Sequence, residues 1–271
     1  MNHKQNLHTH TTYADGIDTP EQMVQHAIAK GFGSLGFSEH SYMFFSPDWS
    51  MNEDAANTYK QEIQSLKKKY TQQLSIYTGL EVDMYSQVDL SGYDYLIGSC
   101  HYFKFGNTYI GFDRTVNECQ RIIDEYFDGN GLVFAKEYYR QLSSLCEYGD
   151  FDIIGHFDLI TKNNTGNRLF DEESKDYLSA ALETMEHLRG RIPFFEVNTG
   201  VIARGYRTRP YPTIKLLKAF RQMHFGAVIS SDCHDGRFLD SGFEEARNIL
   251  DLCGFSERYI LTSTGFSAVA L

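Results

Sequence analysis

The chain has 271 residues, of which 42% are hydrophobic and 23% are charged, a balance typical of a folded protein rather than a disordered one. Its net charge of −11 argues against a nucleic-acid-binding protein, because such proteins usually carry a basic face. No apolar run reaches the roughly 20 residues of a membrane span. Five scattered cysteines without CxxC spacing favour a reducing compartment. We therefore expect a cytoplasmic protein with no nucleic-acid or membrane partner; the sequence carries no signal for its oligomeric state.

Short apolar or β-branched runs alternate with helical patterns along the chain. Thr19 as N-cap, Pro20 at the first helical position and Gly31 as a stop predict the first helix. We predict strands at 6–10, 34–40, 74–83, 95–101, 151–158, 193–199 and 226–234. We predict further helices at 53–70, 114–128, 131–148, 171–190, 212–224 and 242–253. This α/β alternation predicts a parallel sheet with right-handed crossovers, and seven such units favour a closed or nearly closed barrel.

Nearly every predicted strand ends in a histidine or a carboxylate. His8 and His10 are spaced by two, so both rings point to the same side of a strand, and Asp232 and His234 repeat that spacing. The other ionisable residues at strand ends include His40, Glu81, His101 and His156. Because the active site of a β/α barrel lies at the carboxyl ends of its strands, these residues predict a metal site there.

The type and number of the predicted ligands indicate the chemistry. Imidazole and carboxylate without thiolate favour Zn, Mn or Fe(II). Eight or nine ligands exceed what one ion can use, so we expect two or three divalent metal ions. Clustered ions polarise a phosphoryl oxygen and lower the pKa of a bridging water. The sequence therefore predicts a hydrolase.

Six ordered segments, HTHTTYADG, GFSEH, GLEVD, GSCH, GHFD and SSDCH, resemble the motif set of the PHP family, named for polymerases and histidinol phosphatases. The resemblance spans residues 8–234 and implies a distorted seven-stranded (β/α)7 barrel that holds a trinuclear centre at the C-terminal ends of its strands. It implies three metal sites, formed by His8, His10, Glu81 and Asp232, by Glu81, His101 and His156, and by Asp15, His40 and His234. Some family members have histidine at the position of Asp15.

Within the family, the chain resembles the stand-alone histidinol-phosphate phosphatases, in length and in an insertion around 102–150. We therefore expect residues 1–271 to form one domain. The resemblance implies hydrolysis of L-histidinol phosphate in histidine biosynthesis, with a metal-bridging hydroxide as nucleophile. Lys162 and Arg204 correspond to basic residues that contact the phosphate in that subgroup, and Arg207 or Arg209 is the alternative to Arg204.

Other roles are less closely defined by the sequence. Asp15, Asp232 or a water on the third metal would protonate the leaving alkoxide. Tyr42, or Phe44 or Phe45 beside it, is a candidate for stacking on the substrate ring. We expect Asp158 and Glu196 to support metal ligands rather than to bind metal. We expect Asp113 and Arg114 to lie outside the site.

Alternative functions stay open at this stage. The same fold could hydrolyse another small phosphate ester, such as a nucleotide or a sugar phosphate, because fold alone does not define a substrate. An amidohydrolase or protein-tyrosine phosphatase activity is a second alternative. A non-catalytic barrel is a third, although the complete set of predicted ligands argues against it.

Overall fold

The structure is a computed structural model that describes residues 3–271. The strands are β1 (Gln5–Asn6), β2 (Ser34–Phe37), β3 (Ser75–Asp83), β4 (Tyr95–Ser99), β5 (Tyr102–Phe105), β6 (Thr108–Gly111), β7 (Ile153–Ile154), β8 (Phe194–Asn198), β9 (Gly226–Ser230), β10 (Glu257–Thr262) and β11 (Gly265–Ala270). The helices are α1 (Pro20–Ala29), α2 (Ala55–Lys69), α3 (Val116–Tyr126), α4 (Gly131–Leu142), α5 (Lys175–Leu188), α6 (Gly200–Ala203), α7 (Ile214–Gln222) and α8 (Phe243–Leu252). No described helix is both long and apolar enough to cross a membrane.

Seven strands form one parallel sheet in the order β1-β2-β3-β4-β7-β8-β9. The two edges of this sheet meet just beyond β1 and β9, where Thr9 forms a parallel bridge to Cys233. There the backbone N–H of His10 donates to the Cys233 carbonyl at 2.8 Å, and that of Cys233 donates to the His8 carbonyl at 3.1 Å. The predicted seven-stranded β/α barrel is therefore confirmed.

The observed strands are shorter than predicted. β1 contains only two residues and β7 contains only two, and the predicted ligand histidines follow the strands rather than belonging to them. The predicted helices agree more closely with the structure. At α1, the Thr19 side chain accepts a hydrogen bond from Gln22 N and the Gln22 side chain accepts one from Thr19 N. This reciprocal cap satisfies two N–H groups that would otherwise lack a partner at the helix N-terminus.

A small apolar cluster fills the barrel beneath the ligand histidines. It contains Leu7, Tyr95, Ile97, Ile153, Val228 and Leu261. The Tyr95 ring lies against Gly36 and Gly79, where any larger residue would place a Cβ atom inside the ring's volume. The Tyr95 hydroxyl donates to the Leu7 carbonyl, so the ring also fixes the start of the segment that carries His8 and His10. The floor of the site is therefore apolar and closely packed.

Two antiparallel hairpins lie outside the parallel sheet, and the sequence analysis predicted neither. The hairpin β10–β11 packs Leu261 and Phe266 against the cluster at the barrel's amino-terminal end. The hairpin β5–β6 opens the insertion at 102–150, which continues through α3 and α4. The segment that follows β6 brings Asp113 to the carboxyl end of the barrel, where the candidate site lies.

Candidate metal centre and its pocket

Glu81, on β3, stands at the centre of the histidine cluster. Its Oε2 atom lies 2.8 Å from His40 Nδ1 and 3.2 Å from His8 Nε2. Its Oε1 atom lies 2.9 Å from His156 Nε2 and accepts a hydrogen bond of 2.7 Å from the Ser99 hydroxyl. The rings of His10 and His101 are each 3.5 Å away. One buried carboxylate therefore faces five imidazoles that come from the ends of four different strands.

Asp232 and Asp15 complete the cluster on its solvent side. Asp232 Oδ1 lies 3.3 Å from His10 Nε2, and Asp15 Oδ2 lies 3.2 Å from His234 Nε2. Asp232 has a φ of 46°, in the left-handed region that non-glycine residues rarely adopt. That conformation is typical of functional sites, where the surrounding structure holds strained residues in place. The structure thus brings together all the predicted ligands, including Asp15.

Several buried polar atoms of the cluster have no hydrogen-bond partner. They are His8 Nε2, both ring nitrogens of His10, Glu81 Oε2, His101 Nδ1 and His156 Nδ1. Burying such atoms unpaired costs free energy, so native structures usually pair them. Among them, His8 Nε2 and His10 Nε2 lie 3.2 Å and 3.5 Å from Glu81 Oε2, and these atoms have the chemistry of divalent-metal ligands. The residues present therefore fit bound divalent metal ions.

The ligand atoms fall into three overlapping groups, each compact enough for one ion. These are His8, His10 and Asp232; His40, Glu81 and His101; and His10, Asp15, His40 and His234. The division differs from the one that the family resemblance implies. His40 lies against Glu81 as well as near Asp15, and His10 lies near both aspartates.

Electrostatics in the cluster ionise the carboxylates and keep His10 neutral, whereas for His8, His101 and His234 the lowering of the pKa by burial is outweighed by neighbouring carboxylates, which raise it. Burial, together with the neighbouring rings of His40 and His234, lowers the pKa of His10 to about 3, so this ring is neutral. Burial alone would raise the pKa of Glu81, but the surrounding histidines lower it well below its usual value. Burial likewise opposes ionisation of Asp232, and Arg204 and His8 outweigh it, so that its pKa is also well below normal. Both carboxylates are therefore ionised.

Buried carboxylates behind the ligands hold them in position. Glu196 Oε2 hydrogen-bonds His8 Nδ1 at 2.9 Å, which leaves Nε2 of that ring to face the cluster. Its other oxygen accepts from the backbone N–H of His156 at 2.7 Å. Asp83, which the sequence analysis missed, accepts from His101 N at 3.0 Å and lies 3.4 Å from His101 Nδ1. Asp83 follows Glu81 by two residues on the same strand, so the sequence could have predicted that both side chains point to the same side.

Asp158 does not take the supporting role that we expected. Its carboxylate accepts a hydrogen bond of 2.9 Å from the backbone N–H of Thr213, at the start of α7. Burial raises the pKa of Asp158 to about 7, against the opposing effect of Arg207. This residue therefore fixes a helix beside the barrel rather than a ligand of the cluster.

A pocket of about 350 Å³ opens above the cluster. It is lined by ligand candidates and by the apolar and aromatic residues Trp49, Tyr102, Leu159 and Tyr206. The charged lining residues outside the ligand set are Asp113, Arg114, Lys162 and Arg204. Both predicted phosphate-binding residues therefore line the pocket, and the expectation that Asp113 and Arg114 lie outside the site was wrong.

The two basic residues have different partners. Lys162 Nζ lies 3.1 Å from Asp113 Oδ2 and 5.0 Å from the centre of the Tyr206 ring. Arg204 donates to Asp232 Oδ2 at 2.8 Å and to the Asp232 carbonyl at 2.9 Å. Lys162 thus contacts pocket residues outside the metal cluster, whereas Arg204 contacts Asp232, a residue of the cluster.

Two predicted substrate contacts lie elsewhere in the structure. Arg207 donates to both carboxylate oxygens of Glu172, each at 3.0 Å, and to the Thr161 carbonyl at 2.6 Å, so its guanidinium is held outside the pocket. Tyr42 lines a separate cavity with Met51 and Val88. Neither residue is brought to the pocket above the cluster.

The aromatic residue that does reach the cluster is Trp49, which the sequence analysis did not select. Its ring lies edge-on to His40 at 4.5 Å and to His101 at 5.5 Å. Its Nε1 atom donates to the Tyr102 hydroxyl at 2.9 Å, which fixes the plane of the indole. Trp49 is the only tryptophan in the sequence and follows His40 within the same loop.

The barrel and its histidine–carboxylate cluster match a known protein family. The profile of the PHP domain matches residues 6–200, which is well over half of the chain. The chain belongs to the PHP domain family.

Individual relatives extend this similarity along the whole chain. The histidinol-phosphatase of Bacillus subtilis (strain 168) is 27% identical over 268 residues, covering 89% of this chain and 97% of that protein. A Listeria monocytogenes structure, 20% identical, superposes with a TM-score of 0.73 over 89% of this chain and 99% of that one. The Lactococcus lactis histidinol phosphate phosphatase, solved with Zn, L-histidinol and phosphate, is also 20% identical, with a TM-score of 0.70 over 98% and 100% of the two chains. Both solved structures therefore have the same fold as this chain.

Proposed function

We propose that this chain is a metal-dependent phosphatase that hydrolyses L-histidinol phosphate to L-histidinol and inorganic phosphate, in histidine biosynthesis. The convergence of buried, unpaired imidazole and carboxylate atoms beneath a pocket lined by Lys162 and Arg204 carries the proposal. The name of the Bacillus subtilis relative and the ligands of the Lactococcus lactis structure support this choice of substrate.

The cluster is proposed to hold two or three divalent ions, Zn, Mn or Fe, through the ligands His8, His10, Asp15, His40, Glu81, His101, His156, Asp232 and His234. When bound, such ions supply Lewis-acid polarisation of the phosphoryl group and a hydroxide nucleophile at neutral pH. Glu81 contributes to this centre as the shared carboxylate, since its two oxygens face different histidines. Glu196 and Asp83 orient His8 and His101 from behind.

Lys162 and Arg204 bind and orient the phosphate. Both side chains are partly shielded from solvent, with 16% and 33% of their surface exposed, so their charges act on the ester with little screening. Arg204 also holds Asp232, and this contact keeps its guanidinium beside the reacting group. Such positioned charges stabilise the equatorial oxygens as negative charge redistributes in the transition state.

The leaving alkoxide takes up a proton at the solvent edge of the cluster. Asp232 is held there by Arg204 through Oδ2 and is 10% exposed. Asp15 is 32% exposed and contacts His40 and His234, so it connects the pocket to bulk water more directly. Burial opposes ionisation of Asp15, but the neighbouring histidines hold its pKa below its usual value, so this carboxylate is ionised. We assign to Asp15, in place of Asp232, the orientation of a water molecule that donates its proton to the alkoxide, and the hydroxide that remains exchanges with bulk water.

The size and walls of the pocket favour a small substrate. A volume of about 350 Å³ lies at the lower end of the range for small-molecule sites. Trp49 and Tyr102 give the pocket an aromatic lining, which suits the imidazole of histidinol phosphate. Since Asp113 and Arg114 also line this pocket, we propose that residues 102–150 belong to the same functional domain as the barrel.

Phosphate release by the metal-loaded protein tests the proposal. We expect kcat/KM for L-histidinol phosphate near 10⁵ M⁻¹s⁻¹, in the usual range for working enzymes, and about a hundredfold above a panel of nucleotides and sugar phosphates. His101→Asn should lower both turnover and metal content, because His101 faces Glu81. A low and flat profile across the panel would contradict the substrate while leaving phosphoesterase chemistry intact; unchanged metal content in the variant would contradict the ligand assignment.

A further inference from the structure

We infer that Asp113 selects substrates that carry an ammonium group next to the phosphate ester, which are the phosphate monoesters of 2-amino alcohols. The inference rests on the proposed function and specifies how the same pocket chooses among small phosphate esters. In this proposal Asp113 contacts the ammonium group of the substrate. It binds no metal ion and does not touch the reacting atoms.

The distribution of charge in the pocket singles out Asp113. Asp15 and Asp232, the other carboxylates that line it, belong to the proposed metal centre and face histidines. Asp113 belongs to none of the ligand groups, although it lies near enough to His101 and His156 to interact with their charge, and its side chain is 25% exposed. Lys162 donates its hydrogen bond to Asp113 Oδ2, so Oδ1 can accept from a second cation.

Lys162 and Asp113 place a positive and a negative charge side by side, and the proposed class of substrate carries the complementary pair, an anion beside a cation. Their charged atoms lie 3.1 Å apart, both within the same pocket. In a 2-amino alcohol phosphate, two carbon atoms separate the ester oxygen from the amino nitrogen, so its anion and cation also lie close together. The phosphate can therefore contact Lys162 while the ammonium contacts Asp113, and each charge keeps an opposite neighbour. A nucleotide or a sugar phosphate has no cation at that position, and its hydroxyl or phosphate oxygens meet a carboxylate instead.

The position of Asp113 is fixed by the fold of the insertion. It follows Phe112, which is buried and packs its ring against Phe103 at 4.9 Å and Tyr138 at 5.2 Å. The Phe112 backbone N–H donates to the His101 carbonyl at 3.3 Å, which ties this segment to the strand end beside the cluster. The carboxylate is therefore presented by a packed segment, and little ordering is needed when the substrate binds.

Asp113→Asn tests the inference by the selectivity between two substrates. The pair is L-histidinol phosphate and its analogue without the amino group, 3-(imidazol-4-yl)propyl phosphate. We expect Asp113→Asn to reduce the ratio of their kcat/KM values about 10- to 100-fold, the usual effect of losing a hydrogen bond to a charged group. The matched control is Asp124→Asn, an exposed residue of α3 in the same insertion, which should keep the wild-type ratio. If Asp113→Asn lowers both kcat/KM values equally, Asp113 only positions Lys162 and the inference is wrong.

Calorimetric titration of the metal-loaded protein with L-histidinol, in the presence of inorganic phosphate, gives a readout that does not depend on turnover. The Kd for L-histidinol should rise about 10- to 100-fold in Asp113→Asn, whereas the Kd for phosphate should not rise. An unchanged Kd for L-histidinol would overturn the inference.

O-phosphoethanolamine separates this inference from the proposed function. If the wild-type protein hydrolyses it as well as L-histidinol phosphate, and Asp113→Asn removes the preference for both over their amine-free analogues, the histidinol-specific function fails and the inference holds. If only L-histidinol phosphate is hydrolysed and its selectivity ratio survives in Asp113→Asn, the function holds and the inference fails.

Discussion

Glu81→Gln is the substitution that tests the candidate metal centre most directly. The glutamine side chain has nearly the same shape but lacks the charge that Glu81 presents to five histidine rings. Glu81 is fully buried, so solvent cannot replace the lost charge. We expect the variant to fold, to lose most of its bound metal and to lose turnover.

The size of the effect follows from the burial of this carboxylate. Removing one partner of a buried charged pair costs about 3–5 kcal/mol, which corresponds to a loss of metal affinity of about two to nearly four orders of magnitude. One ion present at about 100 times its Kd stabilises the folded state by about 2.7 kcal/mol. For a chain of 271 residues, with an unfolding entropy of about 2.1 cal/mol/K per residue, this amounts to about 5 °C in Tm for each ion.

The assay compares Tm with and without metal. Protein freed of metal by a chelator is titrated with Zn²⁺ or Mn²⁺ and its Tm is followed by scanning calorimetry, while elemental analysis gives the metal content. Wild type should gain about 5 °C or more, and Glu81→Gln should gain almost nothing at the same metal concentration. Glu118→Gln is the matched control, because Glu118 accepts a hydrogen bond from Thr115 at the start of α3, away from the cluster. If Glu81→Gln kept the full metal-dependent rise in Tm, the assignment of Glu81 as the central ligand would be refuted.

Three further substitutions test other parts of the structure. Glu196→Gln should weaken metal binding about 10- to 100-fold in calorimetric titrations, because the carboxylate orients His8 from behind. Arg207→Ala should lower the free energy of unfolding by about 1–3 kcal/mol in urea titrations, since it removes two charge-assisted hydrogen bonds to Glu172, and should leave KM unchanged. Partial burial of Asp240 opposes its ionisation, but hydrogen bonds from two lysines lower its pKa. This stabilisation is present above the unfolded pKa of about 3.9 and is lost as the pH falls through the lower folded pKa. Asp240→Asn should therefore cost about 0.5 kcal/mol in urea titrations at pH 7, and the difference should disappear in acid.

The barrel could be predicted because each of its strands leaves a double signal, an apolar run and a polar residue at its end. The same signal made the predicted strands too long. Pairing of β1 with β2 stops at Asn6, whereas the sequence pattern continues to His10, where the chain already belongs to the site. Ligands leave the regular sheet because their side chains must converge on common points, and strand alternation alone cannot bring them there.

The two missed hairpins had weaker signals. In FKFGNTYIG, Gly106 and Asn107 lie between two short alternating runs, a recognised hairpin pattern, but it falls in the stretch 102–113, to which no element was assigned. The hairpin β10–β11 follows α8, after the seven strand–helix units were complete. Its role, closing the amino-terminal end of the barrel, depends on contacts with Leu7 and Val228 that are distant in sequence.

The cluster of candidate ligands could be predicted, whereas the walls of the pocket could not. Each histidine of the cluster lies next to the end of a strand, so local sequence predicts its position. Arg204 and Arg207 have similar local sequence, and what separates them is Glu172, which holds Arg207 away from the pocket. Trp49 reaches the site on a long loop, and Asp113 reaches it on the short segment after β6. The course of the first depends on contact with Tyr102, and that of the second on packing of Phe112 against Phe103.

The core and the candidate metal centre contribute to stability in separate ways. Tyr95 and its apolar neighbours fill the barrel below the cluster without using any ligand atom, and the main core surrounds the sheet. Burial of this apolar surface supplies the main driving force for folding, so the barrel does not need metal to fold in the way that a zinc finger does. The unpaired ring nitrogens above Tyr95 impose a local cost that ligand coordination would relieve. Loss of metal should therefore lower Tm by several degrees and stop turnover while the fold is retained, which is why Glu81→Gln can separate the metal centre from the barrel that carries it.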